Sequence, residues 1–505
     1  MTEPSEEIIA EPAGPSLAAW AGAAALLWGA LAAFYYFRIG LTLSHYDSRG
    51  HLVVARRVLD SLTPGWVQVG AVWLPLPHLL NLLPVQVDLF YRTGASAVAI
   101  SVLSLALLLY AAVRLVRTAT GSAVAAIATA ALIASNPNLL YLQSTPMTEP
   151  LLLALLAMGL TCLYEAVAGN STRHVRNGFI WLALACLTRY EAWPITGAAV
   201  AAFGVAEWRA RGSLSSACGK ALRGLLIPVG VILLFFVHSK ATVDAWFVTS
   251  GFYVPDPMYA GKFSAAVGAV WWGARVLGSD ALAIAAGVAI LVLLTLVVRD
   301  RRNAALFVPL AWLGATALAW YAFYVGHPFR VRYMVPSVTA AAVLTGLALG
   351  RLPRRWQTPI ASGLLATVLW QARPFDPQAA MVLEAQWDRP RSAARRQVTA
   401  CLPEPGHGEV IMASMGSLAH YMQELSRSGF AIKDFLHEGN GVLWMAALNG
   451  PSRYVRWILI EEVAEGGDML ATRARDDPRF LAGFDRVCSG GGVTLYRNTR
   501  YANSD

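Results

Sequence analysis

The sequence predicts a polytopic α-helical membrane domain followed by a smaller α/β domain. Three observations carry this reading. Of 505 residues, 56% are hydrophobic and only 14% charged, against roughly 45–50% and about 25% in soluble domains. Mean hydropathy is +0.49, and long apolar runs recur from residue 17 to residue 371. Beyond residue 371 those runs stop, and short β-type segments replace them. An ordinary soluble enzyme is excluded.

In chain order, residues 1–16 are acidic and contain proline, so they are expected to form a disordered cytoplasmic tail. No cleavable signal is expected: a basic leader region is missing, and the first apolar run is long enough to span. The apolar runs are 17–37, 94–113, 122–140, 149–167, 178–188, 194–206, 224–238, 281–298, 304–325, 334–350 and 358–371. They predict about eleven crossings, some shorter than the ~20 residues of an untilted span. The stretch 178–206 reads as two helices broken at Thr188–Pro194, where Arg189 and Glu191 interrupt it. This division puts the loops bearing Arg114/Arg117, Arg173/Arg176, Arg209/Arg211/Lys220/Arg223, Arg299/Arg301/Arg302 and Arg351/Arg354/Arg355 on one side, which positive-inside bias makes cytoplasmic. One observation opposes it: the N-terminal tail has no Lys or Arg, while Arg38, Arg49, Arg56 and Arg57 follow the first helix. The five later loops are short and dense in arginine, so they set the orientation.

The membrane domain is therefore 17–371, with long outside loops at 39–93 and 239–280. An odd number of crossings from a cytoplasmic N-terminus puts domain 372–505 outside. In the first loop, Leu52, Val53, Val58, Leu59 and Leu62 fall at helical spacing against Arg49, Arg56, Arg57 and Asp60, which predicts an amphipathic helix on the membrane surface. In the outside domain the strand candidates are Val410–Ala413, Tyr454–Ile460 and Gly492–Tyr496, the last after a Gly-rich turn.

The net charge of +9 comes from scattered arginines, as cytoplasmic loops produce, and calls for no nucleic-acid partner. Seventeen Trp and seventeen Tyr suit interfacial belts. The five cysteines have no close spacing, which excludes a zinc cluster or CxxC site. Cys401 and Cys488 both fall in the outside domain, where a disulfide and two free buried thiols are equally compatible with the sequence. High Ala, Gly and Arg content suggests a GC-rich bacterium, hence a multi-pass protein of the plasma (bacterial inner) membrane.

Five polar clusters sit at the predicted outer ends of helices: His45-Tyr46-Asp47-Ser48-Arg49-Gly50-His51; Gln143 to Pro150, with Glu149; Arg189-Tyr190-Glu191; His238-Ser239-Lys240; and His327-Pro328-Phe329-Arg330-Val331-Arg332-Tyr333. Ionisable groups beside spans are costly and usually face a cavity. A carboxylate can deprotonate a hydroxyl or amine acceptor, while Arg, Lys and His can hold a phosphate and stabilise it as a leaving group. Asp47 and Glu149 are the candidate catalytic acids. Tyr46, His51, Arg189, Glu191, Lys240, His327, Arg330, Arg332 and Tyr333 are the candidate substrate-binding residues. Bland readings exist for several: Asp47 and Glu149 suit helix N-termini, Arg189 and Glu191 suit a structural ion pair, and Arg330 and Arg332 suit snorkelling. P-loop, GxGxxG, HExxH and GxSxG patterns are missing from the sequence, so nucleotide-driven transport and the familiar soluble chemistries lack support.

On these residues the chain resembles the glycosyltransferase C superfamily, in the branch holding protein O-mannosyltransferases and the lipid A aminoarabinose transferase. The likeness rests on Tyr46-Asp47 and the helix after it, Thr148-Glu149-Pro150-Leu151, Thr188-Arg189-Tyr190, and Arg332-Tyr333-Met334-Val335-Pro336. It covers about residues 17–350. It implies inverting transfer of a sugar from a polyprenyl-phosphate donor to an extracytoplasmic acceptor (glycolipid, polysaccharide or protein), with Asp47 as general base. Many relatives carry two adjacent acids at that place; here Ser48 follows Asp47, so a second carboxylate comes from elsewhere, with Glu149 a candidate, or is absent. Metal use is left open, since a lone Asp is a poor divalent site, and no other cofactor is implied. Two alternatives differ in class: a transporter or flippase, which predicts mid-membrane charges and repeat symmetry, and a non-catalytic protein that binds a lipid-linked sugar.

Overall fold

The computed structural model describes residues 16–248, 253–406, 409–464 and 467–500. The expected disordered tail lies outside them, apart from Ser16, whose hydroxyl caps the first helix by accepting from the Ala19 N–H. The helical domain runs α1 (Leu17–Arg38), α2 (Tyr46–Arg57), α3 (Leu76–Asn81), α4 (Asp88–Thr93), α5 (Ala95–Thr120), α6 (Ala123–Ala134), α7 (Pro137–Leu142) and α8 (Glu149–Gly169). It continues through α9 (Thr172–Cys186), α10 (Ala192–Arg211), α11 (Leu214–Val243), α12 (Phe263–Gly278), α13 (Asp280–Arg299), α14 (Ala315–Tyr324), α15 (Val335–Leu349) and α16 (Arg354–Gln371). Every apolar run of the sequence falls on helix, and 178–206 is indeed two helices, α9 and α10. Among the described residues, seven helical segments are long and apolar enough to cross a membrane: α1, α5, α8, α11, α13, Arg301–Tyr324 and Val331–Leu349. The chain is a multi-pass membrane protein; the count of eleven crossings is not reached by length and hydropathy alone.

Turn chemistry at one end of the bundle is written in the sequence. Gly121-Ser122, Asn170-Ser171 and Gly212-Ser213 each pair a left-handed residue (φ +69°, +51° and +79°) with a serine that caps the next helix. The first residue stops a helix and the second starts its neighbour. The arginine-bearing connections meet at this end. Arg114 pairs with Glu165 at 2.7 Å and Lys220 with Glu207 at 2.7 Å, while Arg209 donates to the Val297 carbonyl and Arg351 to that of Ala119.

At the opposite end two expectations need correction. Helix α2 does not lie on a membrane surface. Leu52, Val53 and Ala55 are buried in one core with Ile411, Leu418, Tyr421 and Met422 of the C-terminal domain, and Arg57 is buried, donating to the Gln68 carbonyl at 2.6 Å. Its apolar stripe is covered by protein instead of lipid. The segment 239–280, expected as a loop, instead contains α12, whose exposed face carries Phe263, Val267, Trp271 and Trp272. Both ends of α12 are tied to the site end of the bundle. Gly261 N–H donates to Tyr324 O, and Leu277 O accepts from the Asn136 and Asn138 amides. Of the arginines that opposed the predicted orientation, three are engaged by protein: Arg57 as above, Arg49 by the Leu43 carbonyl, and Arg56 by Asp60 and Asp88.

The C-terminal domain adds α17 (Ala380–Glu384), α18 (Ser392–Thr399), β1 (Ile411–Ala413), α19 (Leu418–Leu425), β2 (Phe435–Leu436), α20 (Val442–Asn449), β3 (Trp457–Glu461), α21 (Met469–Asp476), β4 (Phe484–Gly490) and β5 (Val493–Asn498). The sheet order is β2-β1-β3-β5-β4. β1 is parallel to β2 and β3, and β5 is antiparallel to β3 and β4. β1, β3 and β5 were legible in the sequence, whereas β2 and β4 were not. β4 and β5 turn at Gly491-Gly492, both at positive φ, the requirement of a two-residue hairpin of the primed type. Cys401 and Cys488 form a disulfide, with Cα atoms 6.5 Å apart.

Candidate active site

A cavity of about 2100 Å³ opens between the helical bundle and the C-terminal domain. Four separated segments converge on it: the start of α2, the break between α9 and α10, the approach to α15, and α17. Each is a place where a helix begins or stops, so polar side chains reach the cavity without breaking a hydrogen-bonded span.

Asp47 lies in the first turn of α2, and His45 caps that turn by accepting the Asp47 N–H at its Nδ1 (3.0 Å). Arg332 Nη1 is 2.7 Å from Asp47 Oδ2 and 3.1 Å from His45 Nε2. Burial alone would raise the Asp47 carboxyl. The charge of Arg332 foremost, with Arg189 farther off, outweighs burial and holds it down at about 2. Glu384 of α17 approaches from the C-terminal side: it accepts the Val331 N–H at 2.9 Å and lies 3.6 Å from His45 Nε2. Burial pushes Glu384 up as well, but His45 and Arg332 keep it below its usual range.

Arg189, in the α9–α10 break, forms the second cationic centre. Its Nη2 is 2.7 Å from Glu191 Oε1, its Nη1 is 3.0 Å from Glu149 Oε1, and it also donates to the Thr148 hydroxyl. Glu149 is 1% exposed and lies behind Arg189, off the cavity wall. An acid expected to face substrate is instead engaged by the guanidinium in front of it. His51, one helical turn after Asp47, lines the cavity with Tyr46, Tyr333, His327 and Arg330. Tyr46 Oη donates to the Met415 carbonyl at 2.6 Å, which ties the Asp47 turn to the C-terminal domain. His327 donates from Nδ1 to the Pro328 carbonyl and receives the Tyr333 hydroxyl at Nε2. Lys240 does not join the others. It is 42% exposed and pairs with Asp244 at 2.6 Å along the end of α11, away from the cavity.

Sequence reasoning singled out neither His45, Glu384, Trp73 nor His78, all of which line this cavity. His45 stood inside a quoted cluster without a role. Glu384 belongs to a domain where acids are ordinary, so nothing in its neighbourhood marked it. Among the described residues, no group of three His, Cys, Asp or Glu side chains is arranged to hold a metal ion.

No family model matches the chain, and no curated protein matches it. Solved structures do. The crystal structure of ArnT from Cupriavidus metallidurans bound to undecaprenyl phosphate superposes with a TM-score of 0.59 at 15% identity, over 96% of this chain and 99% of that one. The apo state of the same protein gives 0.56 at 14%, over 95% and 98%. The overlap includes both the bundle and the C-terminal domain, so the two parts are matched together. The chain therefore has the fold seen in ArnT, across both the membrane bundle and the C-terminal domain.

Proposed function

We propose that this protein is an integral-membrane inverting glycosyltransferase that moves a sugar from a polyprenyl-phosphate donor to an acceptor on the outer side of the plasma membrane. The observation that carries the reading is the Asp47–Arg332 pair in a cavity reached by both the bundle and the C-terminal domain. Inverting transfer needs a base on the acceptor side of the anomeric carbon and cations on the phosphate side. The acceptor oxygen or nitrogen attacks that carbon, Asp47 takes its proton, and the bond to the phosphate oxygen breaks. Arg332 and Arg189 stabilise the departing polyprenyl phosphate. Glu149 and Glu191 hold Arg189 in place for it, Tyr46 fixes the α2 start, and Arg330, His327 and Tyr333 line the donor side.

The ion pair makes this an ordered machine. While Arg332 is bound to Asp47, the carboxylate is a weak base. A donor phosphate competes for the guanidinium, and withdrawal of that charge raises the proton affinity of Asp47. The fold shared with ArnT bound to undecaprenyl phosphate supports the lipid donor. The sidedness rests on the arginine-rich end lying opposite the cavity. The transporter and non-catalytic alternatives gain no observation of their own.

The test is a titration of purified protein with undecaprenyl phosphate, read as thermal stabilisation, together with mass analysis of cell-surface glycans with and without the gene. Stabilisation by the lipid and a missing glycosyl group in the deletion are expected. An unshifted melting curve with unchanged surface glycans would overturn the proposal.

A further inference from the structure

His51 and His78 form a pair that the mechanism above leaves unused. His51 Nδ1 is 3.0 Å from His78 Nε2, and both rings are buried. One of these nitrogens must donate to the other. Whichever donates, His51 Nε2 is left buried and without a hydrogen-bond partner, on a residue that lines the cavity. A buried polar atom left unsatisfied costs free energy, and proteins rarely keep one without a use.

Its surroundings say what would satisfy it. His51 lies four residues after Asp47 on α2, so both project from one helix face. The Trp73 ring lies beside it, with centroids 4.3 Å apart and planes at 40°. Trp73 is half-buried and lines the same cavity, offering an electron-rich face to C–H groups. Burial lowers the pKa of both imidazoles, His78 to about 3. The pair therefore stays neutral across ordinary pH.

We infer that His51 Nε2 and Trp73 form a sugar-ring subsite, in which His51 hydrogen-bonds a hydroxyl of the donor's sugar and His78 fixes the His51 ring and its tautomer. The subsite rests on the proposed function and adds to it the group that reads the sugar, as distinct from the phosphate or the lipid chain. His78 is a positioning residue. Its ring stacks with Trp73, centroids 6.0 Å apart, and its Nε2 holds His51 Nδ1, so it orients both members of the subsite.

The experiment compares binding of undecaprenyl phosphate with that of undecaprenyl-phosphate-linked pentoses and hexoses to the full-length protein in detergent. Wild type is expected to bind at least one glycosylated lipid more tightly than the bare one. His51→Phe is expected to bind bare undecaprenyl phosphate as wild type does and to lose roughly three- to tenfold on the glycosylated lipid, the worth of one hydrogen bond. His78→Gln, whose amide can still hydrogen-bond His51 Nδ1, should stay within about threefold of wild type, while His78→Phe should lose as much as His51→Phe. This second pair decides the matter if His51→Phe fails to fold. Retention of the full sugar preference in His51→Phe, equal loss in both His78 variants, or no sugar preference in wild type would overturn the subsite. Failure of wild type to bind any of the lipids would instead overturn the donor reading, and the subsite with it.

Discussion

On the proposed function, two side chains, Asp47 and Arg332, carry the chemistry of the cavity. A positioned general base contributes typically 10²–10⁴-fold, so Asp47→Asn is expected to lower turnover by about that factor. Asparagine retains the shape and suits a helix start, and it releases Arg332 from its 2.7 Å pair; affinity for undecaprenyl phosphate should therefore hold or rise. Turnover within a few-fold of wild type at matched expression would reduce Asp47 to a partner for Arg332. Arg332→Lys is the complementary case. It keeps the charge but loses the planar fork that matches a phosphate, and should raise the KM for donor about tenfold or more; an unchanged KM would leave Arg332 a structural partner of Asp47. Most of the site was legible because ionisable residues next to spans have few cheap explanations: Asp47, His51, Arg189, Glu191, His327, Arg330 and Arg332 meet in one cavity. Lys240 carried the same signal and lies elsewhere, since sequence cannot tell an i,i+4 partner such as Asp244 from a missing one. Glu384 and His78 were invisible, because their relevance comes from packing between segments far apart in the chain.

At the scale of the element, α2 depends on close packing. A Cβ on Gly50 would stand 2.6 Å from Trp73 Cη2, a contact that the stiff indole can relieve only by moving its whole ring. Gly50→Ala is expected to cost about 1–3 kcal/mol by overpacking, seen as a lower Tm together with reduced activity; a wild-type Tm would mean that Trp73 has room. The Cys401–Cys488 bridge closes a stretch of 87 residues. Chain-entropy reasoning assigns such a loop about 4–5 kcal/mol, so Cys401→Ser with Cys488→Ser should lower the Tm of the C-terminal domain in a non-reducing melt, and an unchanged Tm would rule out that contribution. Helices were readable from apolar runs, and β1, β3 and β5 from β-rich stretches. β2 is two residues long and β4 is exposed along most of its length, so neither leaves a pattern. The periodicity of α2 was read correctly and its environment wrongly, because an apolar stripe does not say whether lipid or protein will cover it. Helix α12 has the complementary history: sixteen residues is short for a span, and the stretch was passed over as loop.

For the whole molecule, pH is a sensitive probe of the half that holds the cavity. His51, His78, His420 and His437 are buried there, and burial lowers each, His420 to about 4 and His78 and His437 to about 3. Unfolded histidine takes a proton below about 6.5, which the folded protein refuses until those lower values. Stability is therefore full above about 6.5 and falls progressively toward 4 and 3, by about 1.4 kcal/mol per pH unit for each histidine. Asp47 acts later, since its stabilisation is lost only as pH drops below the ordinary Asp value toward 2. His420→Gln should remove one proton's share of the slope between pH 6.5 and 4 in Tm-versus-pH curves; an unaltered slope would show that His420 is not one of the groups involved. Sidedness has an equally direct test. Val442 is 87% exposed on the C-terminal domain, and Cys218 is exposed at the arginine-rich end. An impermeant thiol reagent on intact spheroplasts should label Val442→Cys at once and Cys218 only after lysis; the reverse order would invert the topology. The clamp on the first loop has a further consequence, in the order of biogenesis. Tyr46 reaches Met415, Gln68 reaches Gly439, and Asp60 receives the N–H groups of Ile432 and Lys433, across separations of 369 to 373 residues. Asp47 leaves the ribosome well before the surfaces that seat its helix. On the proposed function, a chain halted between the two would hold the cationic side of the cavity without a seated base, and should engage the lipid carrier without turning over.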